Sequence, residues 1–250
     1  MLTNQLLDLI KSLPFRNLDL LSVGITIAAI GILGFVIYLG DRKSITNKSF
    51  LYLAMSASFW SILNYLSYQS SSVDITLLLL RLLMFSAVWF AFSLFQLLYV
   101  FPKKEVRFPW WYRFILIPAV IFILLLTLTI FVFNHIVGEV VAGQVASVAK
   151  GPGIITFAIL VFFLVGGGIY RFVKRVIATD KNERDQLRIV LRGIIITFTL
   201  IIALNFILPA FFSIYIFIPF GAFFIFPFVA FTGYAIYKHQ LFNLRSTAVA

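Results

Sequence analysis

His135 and Glu139 carry the most reactive side-chain chemistry in an outer stretch of the chain, and on a helix their i, i+4 spacing sets an imidazole and a carboxylate on one face. Two such donors begin a metal site, but a closed site takes about four ligands. The chain has no cysteine. Its other histidine, His239, belongs to the opposite membrane surface in the topology derived below, a hydrocarbon thickness of about 30 Å away. His135 and Glu139 are therefore expected either as ligand contacts or as a solvated loop, not as a metal centre. No serine has a base near it in sequence. Gly166-Gly167-Gly168 falls late in an apolar run, where close helix packing or a kink is expected and a phosphate loop is not. No catalytic residue, metal or cofactor is expected in these 250 residues.

Charged and amide side chains inside apolar runs are the next candidates. Arg81 lies about two turns into such a run, where a charge costs roughly 2.5 to 3.5 kcal/mol on insertion scales unless it snorkels or pairs. Asp74, seven residues earlier, shares its helical face, so Arg81 either snorkels toward Asp74 and the outer headgroups or contacts a ligand. Asn64 and Asn205 are placed to bridge helices. The outer segment from Asn134 to Gly153 either caps a pocket or merely connects. In the inner segment from Arg171 to Arg192, Asp180 precedes Arg184 by four residues and Asp185 precedes Arg188 by three, pairings that extend helix out of the bilayer. Arg184, Gln186 and Arg188 there either anchor on anionic lipid or offer a docking face to a cytoplasmic partner.

The elements that must position these groups follow from composition. With 62% hydrophobic residues, 12% charged residues and 30 Phe, the chain cannot cover its apolar surface in water, so lipid is its solvent. Seven runs have spanning length: Leu20 to Leu39, Phe50 to Tyr68, Ile75 to Phe101, Phe114 to Phe133, Ile154 to Tyr170, Ile189 to Phe211 and Ile216 to Tyr237. No alternating barrel pattern occurs, and hydrocarbon leaves an open backbone without partners, so the runs are expected as helices. The fold class is thus an all-α integral membrane bundle of seven transmembrane helices. Residues 1–17 are expected as an interfacial or frayed segment with no cleavable signal, residues 18–240 as the membrane domain, and residues 241–250 as the start of an output linker.

The net charge of +11 follows topology. Sixteen of the 20 Lys and Arg residues fall in one set of connections, including Arg42, Lys43 and Lys48, then Lys103, Lys104, Arg107 and Arg113, then the 171–192 segment, then Lys238 and Arg245. The opposite set holds Lys11, Arg16 and Lys150. This asymmetry predicts an outside N-terminus and a cytoplasmic C-terminus, and it removes nucleic acid as the reason for the charge. Trp110, Trp111 and Tyr112 suit an inner aromatic belt.

Several ordered segments carry a family resemblance. They are Asn47-Lys48-Ser49-Phe50 with Trp60, Arg81-Leu82, Phe101-Pro102-Lys103-Lys104, Arg184-Asp185-Gln186-Leu187-Arg188 leading to Gly193, Leu208-Pro209, and Tyr234-Ala235-Ile236-Tyr237-Lys238-His239 with Leu241-Phe242. Across nearly its whole length the chain resembles the N-terminal seven-transmembrane sensor region of bacterial histidine kinases. The resemblance implies a multi-pass protein of the bacterial inner (cytoplasmic) membrane that senses an external or intramembrane signal, small or lipidic. It implies a homodimer and a kinase output domain, in the same parent chain or on a partner. Tyr237, Lys238, His239, Leu241, Phe242 and Arg245 become the output linker, and Asp74, Arg81, His135 and Glu139 the candidate signal contacts. These residues contain no phosphoacceptor helix and no ATP-binding domain, and His239 at a membrane exit is not expected to be phosphorylated. The competing classes are a small transporter or channel, expected to show midplane charges and paired repeats, and a non-catalytic assembly protein using Gly166 to Gly168 as an interface.

Overall fold

Backbone polar groups without water must pair within their own segment, and helices dominate the computed structural model. It describes residues 18–179, 181–201, 203, 204, 208 and 217–248, with residues 18, 19, 181–183 and 239–248 described by backbone alone. The N-terminal segment 1–17, Asp180, Asn205, Pro209 and residues 212–215, which join the sixth and seventh expected spans, lie outside the described residues.

The helices are α1 (Leu18–Gly40), α2 (Ile45–Gln69), α3 (Val73–Val100), α4 (a π turn at Tyr112–Leu116 running into Ile117–Thr127), α5 (Gly153–Ala178), α6 (Lys181–Leu200) and α7 (Gly221–Ala248), the last preceded by a 3-10 turn at Ile218–Phe220. Among the described residues four stretches are long and apolar enough to cross a membrane: Leu20–Gly40, Val73–Val100, Gly153–Ala178 and Ile218–Lys238. The protein is a helical membrane domain. Helix α2 has spanning length but turns a polar seam inward, with Asn47, Ser49, Ser56, Ser61 and Asn64 buried. Such residues bridge helices where the bundle interior offers partners.

Tight junctions show why the elements begin and end where they do. Between α1 and α2 the Asp41 carboxylate accepts from the main-chain N–H groups of Lys43 (3.1 Å) and Ser44 (3.2 Å). Ser44 then caps α2 by accepting from the Asn47 N–H, while the Asn47 amide donates to Ile37 O at 2.8 Å and satisfies an open carbonyl of α1. A Cβ on Gly34 would lie 2.6 Å from that of Ala54, so the α1–α2 crossing depends on a glycine.

Two expectations are corrected. The fourth span was expected to run from Phe114 to Phe133, but α4 stops at Thr127, and the chain then turns into a two-stranded antiparallel hairpin, β1 (Phe133–Val137) and β2 (Ser147–Lys150). The apolar residues 128–133 that looked helical instead lead into the strand that buries Phe133 and Ile136. Gly151 lets β2 pass onto α5, since a Cβ there would lie 2.2 Å from Phe131 O. The outer segment is therefore folded, and the domain is mostly rather than wholly α-helical. In the other direction, α5 runs eight residues past its expected end at Tyr170, and α6 begins eight residues before Ile189 and carries the expected Asp185–Arg188 pair, while the expected Asp180–Arg184 pair involves a residue outside those described.

The last helix holds the most buried of the candidate spans. The share of the candidate span buried is 56% for Ile218–Lys238 against 17 to 28% for the other three. Its Ile225, Phe228, Val229, Ala235 and Ile236 join Ile30 and Ile37 of α1, Phe50 and Leu53 of α2, Leu94 and Leu97 of α3, Phe172 of α5, and Leu187, Val190 and Ile194 of α6 in one apolar core.

Candidate signal-transmission site

Helix α7 is held by α6, α1 and α2 at specific points. Pro227 removes one main-chain donor from the interior of α7. The next N–H, that of Phe228, donates to Thr197 Oγ1 of α6 at 3.0 Å. One turn earlier on α6, Gly193 brings the backbones together: a Cβ there would sit 2.9 Å from Phe231 Cβ and 3.1 Å from Phe228 Cα. Toward the far end of α7 the Gln186 amide donates to Ala235 O at 3.1 Å. On the α1 side, a Cβ on Gly233 would lie 2.9 to 3.2 Å from Leu33 side-chain atoms. At the start of α7, Gly221 packs on the Trp60 ring of α2, and the Asn64 amide donates to Ile218 O at 2.7 Å. Asn64 thus bridges elements as its position in an apolar run suggested.

Arg81 occupies the other end of the bundle. Its Nε and Nη2 donate to Phe133 O at 3.1 and 2.9 Å, and Nη2 also donates to Asn134 O at 3.1 Å. Its partners are carbonyls of the β-hairpin and not the Asp74 carboxylate toward which snorkelling was expected. A planar guanidinium can serve two adjacent carbonyls, and a folded hairpin presents them. Asp74 is exposed in the first turn of α3, where its negative charge suits the helix N-terminus. His135 is exposed on β1 and Glu139 is exposed beyond Gly138, which turns the chain at φ 83°. Their i, i+4 spacing is therefore not a helical face. Among the described residues no three His, Asp or Glu side chains converge on one point.

The segment from Arg184 to Arg188 divides its work. Arg184 donates from Nε to Thr179 O (3.1 Å) and from Nη2 to Ile177 O (3.3 Å), closing the C-terminal end of α5. Gln186 reaches α7, Leu187 is buried, and the exposed Arg188 pairs with Asp185 at 3.5 Å. In the exit segment Tyr237 and Lys238 are exposed, Lys238 Nζ lies 5.9 Å from the Tyr234 ring centroid, and the α7 backbone continues through His239, Leu241, Phe242 and Arg245 to Ala248.

Two arginines of α5 escaped the sequence reading, which counted them only as topology. Pro102 cannot donate to Leu98 O, so the last turn of α3 has an open carbonyl. Arg175 fills this gap, donating to the carbonyls of Leu98 (3.4 Å), Tyr99 (3.0 Å) and Phe101. One turn before it, Arg171 lies over the Tyr99 and Trp111 rings at 5.4 and 5.2 Å. The proline was the available signal, since a helix ended by proline needs outside donors. Of the expected aromatic belt, Trp110 is exposed, while Trp111 and Tyr112 join Tyr99 and Phe108 in a packed aromatic cluster.

The comparison with family models decides what such a bundle is. Residues 20–245 match the family described as the N-terminal 7TM region of histidine kinase. The chain belongs to this family. As a 7TM region it is a signalling input domain, distinct from the catalytic part of a kinase. Neither the comparison with curated proteins nor that with solved structures returned a match. The match takes in the Arg81 anchor, the α6–α7 contacts and most of the exit segment of the 7TM region.

Proposed function

We propose that this 7TM region converts an external or intramembrane signal into a change in the packing of α7 against α6, which a kinase output domain receives through the exit helix. The observation that carries the reading is the position of α7. It is the most buried of the candidate spans, it is fastened to α6 by the Thr197–Phe228 and Gln186–Ala235 hydrogen bonds, and it continues as helix to Ala248. A rigid helix rooted in the core and leaving the bundle transmits displacement, whereas a loop would absorb it.

A signal must bind one packing more tightly than another, because equal affinity shifts nothing. Arg81, Asp74, His135 and Glu139 are the candidate contacts on the side where the hairpin lies, and the hairpin held by Arg81 is the part a ligand there would move. The proposed topology has an outside N-terminus and a cytoplasmic C-terminus in the bacterial inner membrane, from the distribution of Lys and Arg. The kinase domain lies in the same parent chain or on a partner, and the working unit is a homodimer. The test is kinase output in variants that cut the α6–α7 fastenings, Gln186→Leu and Thr197→Val. Altered basal autophosphorylation in both, with the domain still folded, supports the reading, and unchanged output in both contradicts it.

A further inference from the structure

The turn between α1 and α2 and the segment following α3 line an open cavity of about 520 Å³ that brings Lys43, Lys48, Lys104 and Arg107 together, with Glu105 as the acidic group among them. Glu105 and the nearby Asp41 together offset two of these four charges and leave the cluster net positive. Oδ1 of Asp41 is engaged by the turn's own N–H groups, and Oδ2 lies 3.9 Å from the exposed Lys104 Nζ in a long ion pair. Four like charges around one cavity repel, yet the two segments cannot part freely. Ile45 N–H donates to Lys104 O at 2.9 Å, and Thr46 Oγ1 donates to Lys103 O at 2.6 Å. The backbone therefore holds the cations together beyond the ends of α1 and α3, at the depth where helices meet headgroups.

We propose that this cavity binds a phosphate group, supplied by the headgroup of an anionic lipid or by a soluble phosphate. The lysines offer point charges with three rotatable donors each, and Arg107 offers a planar fork for two phosphate oxygens. A bound phosphate would relieve the repulsion and pin the α1–α2 turn to the segment between α3 and α4. The site is independent of the signal reading above, since it lies at the opposite end of the bundle from Arg81 and shares no residue with the α6–α7 contacts.

The experiment uses the whole chain purified in detergent micelles. Retention of phosphatidylglycerol against phosphatidylcholine is read by native mass spectrometry, and in a separate arm the thermal shift with inorganic phosphate is recorded. The unaltered chain should retain phosphatidylglycerol preferentially, and the triple variant Lys43→Gln, Lys48→Gln, Arg107→Gln should lose about fivefold for each cation removed. The charge-keeping triple Lys43→Arg, Lys48→Arg, Arg107→Lys should hold the lipid and report that the substituted fold is intact. Removing three charges elsewhere, with Arg113→Gln, Lys174→Gln and Arg192→Gln, should leave retention near that of the unaltered chain. A phosphate shift that disappears in the cavity triple, without lipid preference, supports the site and names the soluble source. Equal losses in the cavity and control triples, or no change in either arm, overturn the proposal.

Discussion

The side-chain amide of Gln186 on α6 donates a 3.1 Å hydrogen bond to the main-chain oxygen of Ala235, a residue wholly buried on α7. The contact joins two helices at the level where α7 leaves the core. It also links the two most distinctive segments of the family resemblance, Asp185-Gln186-Leu187-Arg188 and Tyr234-Ala235-Ile236. The spacing of each segment placed it on a helix, while the contact between them depended on how those helices pack.

Gln186→Leu keeps the apolar stem of the side chain and removes the donor. The helical bond to Ala235 O survives, so the expected stability loss is about 1 kcal/mol, measured as thermal unfolding in micelles. If the contact sets the balance between two packings, basal autophosphorylation of an attached kinase shifts about fivefold. A loss of stability with unchanged output would make it a structural joint only.

Gly193 and Gly167 are both interior helical glycines in very different surroundings. Gly193→Ala drives a Cβ toward the backbone of α7 at Phe228, with an expected cost of about 1 to 3 kcal/mol. Gly167→Ala meets nothing within 4 Å and should stabilise α5 by about 0.5 to 1 kcal/mol. Unfolding of the two variants side by side checks the opposite signs.

Arg81→Gln removes the charged fork that holds Phe133 O and Asn134 O. Faster hydrogen exchange confined to residues 133–150 is expected, with a local stability loss of about 2 kcal/mol. Arg81→Lys should recover only part of it, because an ammonium cannot serve both carbonyls in one plane. Exchange unchanged from that of the unaltered chain would remove Arg81 as the hairpin's anchor.

Orientation is open to labelling because the chain has no cysteine. A single cysteine replacing Glu139 should react with a membrane-impermeant maleimide in intact spheroplasts. One replacing Arg188 should react only after permeabilisation. The reverse pattern would invert the topology read from the basic residues.

Much of the fold was legible because lipid as solvent forces apolar length into helix, and the expected spans from Leu20, Ile75 and Ile154 correspond to α1, α3 and α5. The hairpin was not legible. Leu128 to Phe133 is as apolar as the helix before it, and what ends α4 is the burial of Phe133 and Ile136 together with the passage that Gly151 permits. Arg81 was recognisable as a charge in need of a partner, but its partners are main-chain carbonyls, which leave no mark in side-chain identity. Asn64 was legible as a bridge since a buried amide in an apolar run has little else to do, whereas Arg175 becomes visible only once the missing donor of Pro102 is counted.

The central claim is that α7 carries the output as a rigid helix. The most direct measurement inserts one, two, three and four alanines between Lys238 and Leu241 in the chain attached to a histidine kinase domain and records autophosphorylation at each step. Each residue turns the helix by about 100°, so output should cycle, departing after one or two insertions and returning near the starting level after three or four. Output that stays level through all four insertions, or falls steadily without recovery, would contradict transmission through α7.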